Sequence, residues 1–207
     1  MKVARLILIS TVASLCFSAS AAPLAVAETP ATGHLTLFDG TRVVPIFVET
    51  NADEAVLRAT GDLAEDFARV TGTKAEMEKQ ISPDQKIQII IGTLGQSKLI
   101  DQLSAQGKLD TNGISGQWES YVLQVVTNPL PNVDRALVIA GSDRRGTIYG
   151  IYQLSEMIGV SPWYWWADVP VAKKNRLALN GDKIKQGPPG VKYRGFFIND
   201  EDWGLNP

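Results

Sequence analysis

The sequence predicts an α/β layered domain, a mixed sheet carrying helices, that precedes the first strand of a truncated β/α barrel. Three observations lead there. Between residues 34 and 160, β-rich runs alternate with segments of helical period in the order β-β-α-β-α-β-β-α. Turn and cap residues punctuate each run. The chain of 207 residues, 44% hydrophobic, is long enough to bury a real core.

The chain opens with "MKVARLILISTVASLCFSASAAPLAVA", in which Lys2 and Arg5 precede an apolar stretch and then small residues. That is the pattern of an export signal over 1–27, and it predicts a secreted or periplasmic protein. Two small-x-small triplets fit cleavage, after Ala21 or after Ala27, and the sequence leaves both open. A membrane anchor would need about 20 apolar residues. The one cysteine, Cys16, lies inside this leader behind Leu15, a poor match to a lipoprotein site. A mature chain without cysteine has no disulfide and no thiol nucleophile. The one histidine, His34, has no second ligand nearby, so neither a metal nor a cofactor is expected.

"HLTLFDGTRVVPIFVET" predicts two short strands about an Asp39-Gly40 turn. "NADEAVLRATGDLAEDFARVTG" spaces Val56, Leu63, Phe67 and Val70 as one helical face, capped by Asn51 or Asp53 and stopped by Gly72. "KIQIIIGTLG" is a buried β-branched strand and "SKLIDQLSAQG" a short helix. "SYVLQVV" and "RALVIAG" are strands joined by a Pro-rich connection, and "DRRGTIYGIYQLSEMIG" is a helix closed by Gly159. This completes an accessory domain over 34–160. Residues 161–190 read as an aromatic segment and polar linker, with Gly187-Pro188-Pro189-Gly190 as boundary. Residues 191–207 read as the start of the barrel.

Charge excludes some partners. The 20 Lys+Arg against 22 Asp+Glu leave a net charge of −2 with no basic block, so nucleic acid is not an expected partner. "IIIGTLGQS" places glycines between a strand and a helix, but it lacks G-x-G-x-x-G and a Lys-Ser/Thr pair. Turn chemistry is the better account of it.

Three constellations are candidates for chemistry. Asp143, Arg144 and Arg145 sit at a turn before a helix with Gly146 and Gly150 on one face, and either arginine would suit a carboxylate-bearing ligand. In "SPWYWWADV", an extended backbone would send Trp163 and Trp165 one way and Tyr164 and Trp166 the other. One face would serve as a sugar-stacking platform, or the rings would be buried between two domains. In "RGFFINDEDWGLNP", carboxylates follow an apolar run, as at the catalytic mouth of a β/α barrel.

"GSDRRGTIYGIYQLSEMIGVSPWYWWADVPV" and "GPPGVKYRGFFINDEDWGL" closely resemble glycoside hydrolase family 115, the xylan α-1,2-glucuronidases, over roughly residues 140–205. The segment 34–140 is consistent with the small domain that precedes the barrel in that family, although families 67 and 20 carry similar domains. The resemblance implies inverting removal of glucuronic acid, or its 4-O-methyl ether, from glucuronoxylan, and a homodimer of the full-length protein. It implies Asp200 and Glu156 as acidic active-site positions, with Asn199 and Glu201 beside them. Arg144, Arg145, Trp163 and Trp165 would line the substrate pocket. Because the family's other pocket residues come from later barrel strands, this chain alone is expected to be inactive. A non-catalytic carbohydrate-binding module is the alternative.

Overall fold

Two apolar faces of one twisted sheet organise the chain, as the computed structural model shows for residues 22–81, 85–195 and 197. Its strands and helices, in order, are β1 (Ala25–Ala27), β2 (Leu35–Phe38), β3 (Ile46–Val48), α1 (Glu54–Thr71), β4 (Met77–Glu78), β5 (Ile87–Thr93) and α2 (Lys98–Ala105). They continue with β6 (Tyr121–Leu130), β7 (Val133–Gly141), α3 (Arg144–Ile158), β8 (Leu177–Asn180) and β9 (Lys183–Gln186). Among the described residues, a mixed six-stranded sheet runs β4-β3-β5-β7-β6-β9, and a three-stranded antiparallel sheet runs β1-β8-β2.

Strand alternation divides the core in two. Ile89 and Ile91 of β5, with Leu137 and Ile139 of β7, face Leu63, Phe67, Ile151 and Leu154 of α1 and α3. The small sheet closes that side through Leu35, Leu37, Leu177 and Leu179. Ile90, Val138 and Val122 point the other way, onto Leu99, Ile100 and Leu103 of α2. Each fully buried Leu or Ile contributes about 1.5–3 kcal/mol relative to exposure. A sheet apolar on both faces is stable only when both are covered.

The helix boundaries follow the expected chemistry. Asp53 caps α1 through the Ala55 N–H, and Gly72 ends it at φ 85°. Ser97 caps α2 and Asp143 caps α3, which Gly159 closes at φ 119°. The Asp39-Gly40 turn forms with a Phe38–Val43 bridge, but β2 and β3 then part into different sheets. Pro45, with no N–H, offers only its carbonyl, which accepts from Ile89 in β5. The β6–β7 connection is tighter than its prolines suggest. The register closes at Leu130–Val133 with Asn132 at φ 70°, and Pro129 lies where β6 has no β9 partner, so it breaks no ladder bond.

Within 161–190, the segment read as aromatic stretch and linker, two strands form. β8 is the central strand of the small sheet, with Leu177 and Ala178 fully buried and Leu179 1% exposed. β9 extends the main sheet along β6, its polar K-I-K-Q pattern being that of a half-solvated edge. Lys183 and Lys185 both bind the Asp110 carboxylate, at 2.5 and 2.7 Å. Of the segment read as the start of a barrel, residues 191–195 and 197 are in no strand. The rest of it lies outside the described residues, as does most of the leader.

α3 lies close on β6 and β7. A Cβ on Gly146 would come within 2.2 Å of the Ser120 carbonyl oxygen, and one on Gly150 within 2.8 Å of an Ile139 methyl. Gly61 in α1 has open space around it. Gly61→Ala should therefore raise unfolding free energy by about 0.5–1 kcal/mol, whereas Gly146→Ala should lower it by about 1–3 kcal/mol. Urea unfolding of both variants checks the pair.

The Asp110 carboxyl is held well below its usual pKa, first by the hydrogen bond from Lys183 and then by that from Lys185. Its stabilisation is thus complete above the ordinary carboxylate range and is lost as pH falls through the lowered folded value. Asp110→Asn should cost about 0.5–1 kcal/mol at pH 7. That difference should close in strong acid, as read by urea unfolding across pH.

Candidate functional site

α3 carries a different polar group at each end, and its 15 residues hold those ends roughly 22 Å apart at about 1.5 Å per residue. The N-terminal group begins with Asp143. One carboxylate oxygen accepts the Gly146 N–H at 2.7 Å, and the other accepts the Glu119 N–H at 2.8 Å. Glu119 stands at φ 50°, a left-handed conformation that costs a non-glycine residue energy and persists only when its surroundings enforce it.

That conformation turns the Glu119 side chain, 6% exposed, onto two arginines. Arg145 Nη1 approaches at 3.0 Å, and Arg194 donates from Nη2 to the other carboxylate oxygen. The Tyr149 hydroxyl accepts from Arg145 at 3.0 Å and from Arg194 at 3.2 Å. Arg194 also lies 5.9 Å from the Trp118 ring centroid. Both guanidiniums are held more firmly protonated than usual, Arg145 first by Tyr149 and Arg194 first by Glu119. Arg144 is engaged elsewhere, with Asp53 at 3.4 Å.

The C-terminal group surrounds a cleft of about 700 Å³ between α1 and α3. Arg58, Asp62, Asp66 and Arg69 from α1 face Tyr152 and Ser155 from α3, with Trp165 at the rim. Tyr152 donates to Asp62 at 2.8 Å. Burial first, then this bond, pushes the phenol up to about 12. Asp66 is raised, chiefly by burial, against the pull of the nearby Ser155 hydroxyl and of the bond from Arg69.

Ser161 shapes the aromatic stretch. Its hydroxyl accepts the Trp163 N–H at 3.1 Å, and Ala167 donates to the Trp163 carbonyl at 2.9 Å. A Ser-Pro start favours such a helical turn over an extended strand, so the rings do not alternate as an extended segment would have them. Tyr164 is half-buried, edge-on to Trp165 at 5.2 Å, and Arg69 lies over both rings. Trp163, Trp165 and Trp166 remain 65, 73 and 83% exposed.

The structure thus distributes the residues singled out from sequence. Arg144 and Arg145 lie at the first turn of α3. Glu156 lies exposed in its last turn, roughly 16 Å along the axis from Arg145. Trp163 and Trp165 follow the helix end. Arg145 belongs to the group at the first turn, whereas Trp165 borders the cleft with Tyr152 and Ser155. Asp200, Asn199 and Glu201 lie outside the described residues. Sequence reasoning missed Glu119 and Arg194, whose partnership spans 75 positions. It also missed the α1 face Asp62-Asp66-Arg69, whose i, i+4, i+7 spacing showed only a polar stripe.

The strand-to-helix turn at Gly92–Gly95 does not cradle phosphate. Asp101 occupies the Gly95 N–H at 2.8 Å, and Ser97 accepts the Ile100 N–H at 3.2 Å. A carboxylate already fills the position an anion would take. Among the described residues no cluster of three His, Cys, Asp or Glu could hold a metal, and no helix is long and apolar enough to cross a membrane.

Since Arg194 is the last described residue with a side-chain tie to the domain core, Glu119→Gln should release the segment after Val191. Trypsin should then cleave after Lys192 and Arg194 about tenfold faster, the factor that about 1.4 kcal/mol of anchoring supplies. The global unfolding midpoint should stay within the range of an ordinary surface substitution. Unchanged cleavage would show that the tie holds nothing.

No protein-family model matches the chain, and no curated protein matches it. Among solved structures, it is similar to a family GH115 4-O-methyl-α-glucuronidase, BtGH115A, with specificity for decorated arabinogalactans. Identity is 37%, coverage is 83% of this chain and 20% of that chain, and the TM-score is 0.67. Two other structures are more distant. CpGH84D has 15% identity, covering 77% of this chain and 22% of that one at TM-score 0.46. Streptomyces plicatus N-acetyl-β-hexosaminidase in complex with Thio-NAglucal has 18% identity, covering 77% and 24% at TM-score 0.42. The chain belongs to glycoside hydrolase family 115 and spans 20% of the length of the family member it matches.

Proposed function

We propose that this chain supplies the N-terminal α/β domain, and the entry into the catalytic barrel, of an exported α-glucuronidase. The enzyme removes (4-O-methyl)glucuronic acid side chains from a plant polysaccharide with inversion. The observation that carries this reading is the 37% identity, maintained over 83% of the chain, to an enzyme that cleaves that sugar. Glucuronoxylan is the substrate implied by the motif blocks. The matched relative prefers decorated arabinogalactans. The common element is the glucuronosyl bond, so the backbone polysaccharide is the variable that the assay must resolve.

Inversion needs one carboxylic acid to protonate the leaving oxygen and one carboxylate to activate water, separated by about 6.5–9.5 Å. Asp200 and Glu156 are the candidates here. Glu156 is solvent-exposed on α3, consistent with a residue awaiting a facing element. The chain by itself is therefore proposed to lack the complete pocket. A second reading, a carbohydrate-binding module without catalysis, is favoured by Trp165 standing 73% exposed at the rim of the α1–α3 cleft.

The purified 207-residue chain should release no uronic acid from glucuronoxylan or from decorated arabinogalactan. Exchanged for the equivalent segment of BtGH115A, it should sustain 4-O-methylglucuronate release with kcat/KM within about tenfold of the parent, about 1.4 kcal/mol in barrier. A folded but inactive chimera would overturn the enzyme reading. Polysaccharide retention by the isolated chain, together with that inactivity, would select the binding module.

A further inference from the structure

Residues 22–28 decide between the two cleavage positions that the leader offers. Both Ala19-Ser20-Ala21 and Ala25-Val26-Ala27 present small residues in the spacing a signal peptidase reads. Only one of the two cuts leaves the fold intact.

The Ala22 carbonyl accepts the Asp182 N–H at 3.1 Å, and the Leu24 N–H donates to the Lys183 carbonyl at 3.3 Å. Leu24 is 3% exposed and belongs to the core beneath the small sheet. β1 pairs with β8 in the register Ala25–Asn180, Val26–Leu179 and Ala27–Ala178. The Ala22-Pro23 backbone passes so near the following turn that a Cβ on Gly181 would lie 2.3 Å from the Pro23 carbonyl oxygen, and Gly181 itself has φ 83°. The turn is therefore shaped around this backbone. Glu28 adds an ion pair with Lys174 at 3.3 Å.

Removing residues 22–27 would take Leu24 out of the core and strip one edge from β8. That strand would pass from central to edge, leaving backbone donors and acceptors unpaired beside buried Leu177 and Leu179. A chain starting at Ala22 loses none of this. Ala22 and Pro23 are exposed, so a new ammonium group there stays in water.

We propose that the mature protein begins at Ala22. A signal peptidase hydrolyses the Ala21–Ala22 peptide bond, water giving its hydroxyl to the Ala21 carbonyl and a proton to the Ala22 nitrogen. The second triplet is a structural strand and not a processing site. The proposal rests on the export reading above.

The test is intact-mass and N-terminal analysis of the full 207-residue chain recovered from the exported fraction of a Sec-competent bacterial host. An N-terminal Ala22 is expected, and Ala27→Val should leave it unchanged. An N-terminal Glu28, or a shift caused by Ala27→Val, would overturn the site while leaving export intact. An uncleaved chain retained in the cytoplasm would overturn the export reading and the proposal with it. Chains made to begin at Ala22 and at Glu28 should differ in urea midpoint, the shorter being less stable. Equal midpoints would remove the structural ground for the choice.

Discussion

The closeness of α3 to the β6–β7 pair is the constraint on which the arrangement depends. Gly141, Gly146 and Gly150 let the helix backbone settle onto the sheet, and the Thr93 and Thr147 hydroxyls meet at 2.7 Å across the buried contact. At this distance the first turn of α3 reaches the Ser120 carbonyl. Asp143 can then cap the helix with one oxygen and hold the Glu119 amide with the other. A helix set off by ordinary side chains would break that double use. Glu119 would relax from its left-handed conformation, and the arginine at 194 would lose its buried partner.

The parts of the fold legible in the sequence are those encoded locally. α1 announces itself by Asp53, Gly72 and a clean apolar stripe, β5 by its run of isoleucines, and α3 by Asp143 and Gly159. The glycines at 146 and 150, visible in sequence on one helix face, are where the helix backbone approaches Ser120 and Ile139. β8 and β9 were illegible for a physical reason. Strands of four residues, flanked by Lys173-Lys174-Asn175-Arg176 and by Asn180-Gly181-Asp182, carry too little periodicity to outweigh the charges around them. They exist because β1, β2 and β6 present open edges, which is tertiary information. β1 was hidden for a related reason: the small residues that suit a narrow sheet also suit a peptidase.

The candidate site was legible only as a set of residue types. Arginines before a helix and tryptophans after one are visible in sequence, but the length of the helix between them decides whether they can share a ligand. At about 1.5 Å per residue, the fifteen residues of α3 hold its two ends roughly 22 Å apart. Long-range pairings such as Glu119 with Arg194, or Tyr152 with Asp62, depend on how α1 and α3 register against the sheet. No local signal carries that register.

The same separation bears on what a domain of this kind contributes to a glycosidase. Several of the described charged groups are spent on partners within the domain. Asp66 and Asp62 are engaged by Arg69 and Tyr152, and Glu119 is clasped between Arg145 and Arg194. Groups paired so closely make poor acid–base catalysts, since each proton transfer would have to break a charge-assisted bond. They make good anchors. A strained Glu119, fixed from behind by the cap of α3 and gripping Arg194 in front, sets where the chain leaves the domain. The geometry suits these paired groups to holding the chain at Arg194, whereas Glu156, exposed and outside the pairs just named, remains the candidate of the proposed function.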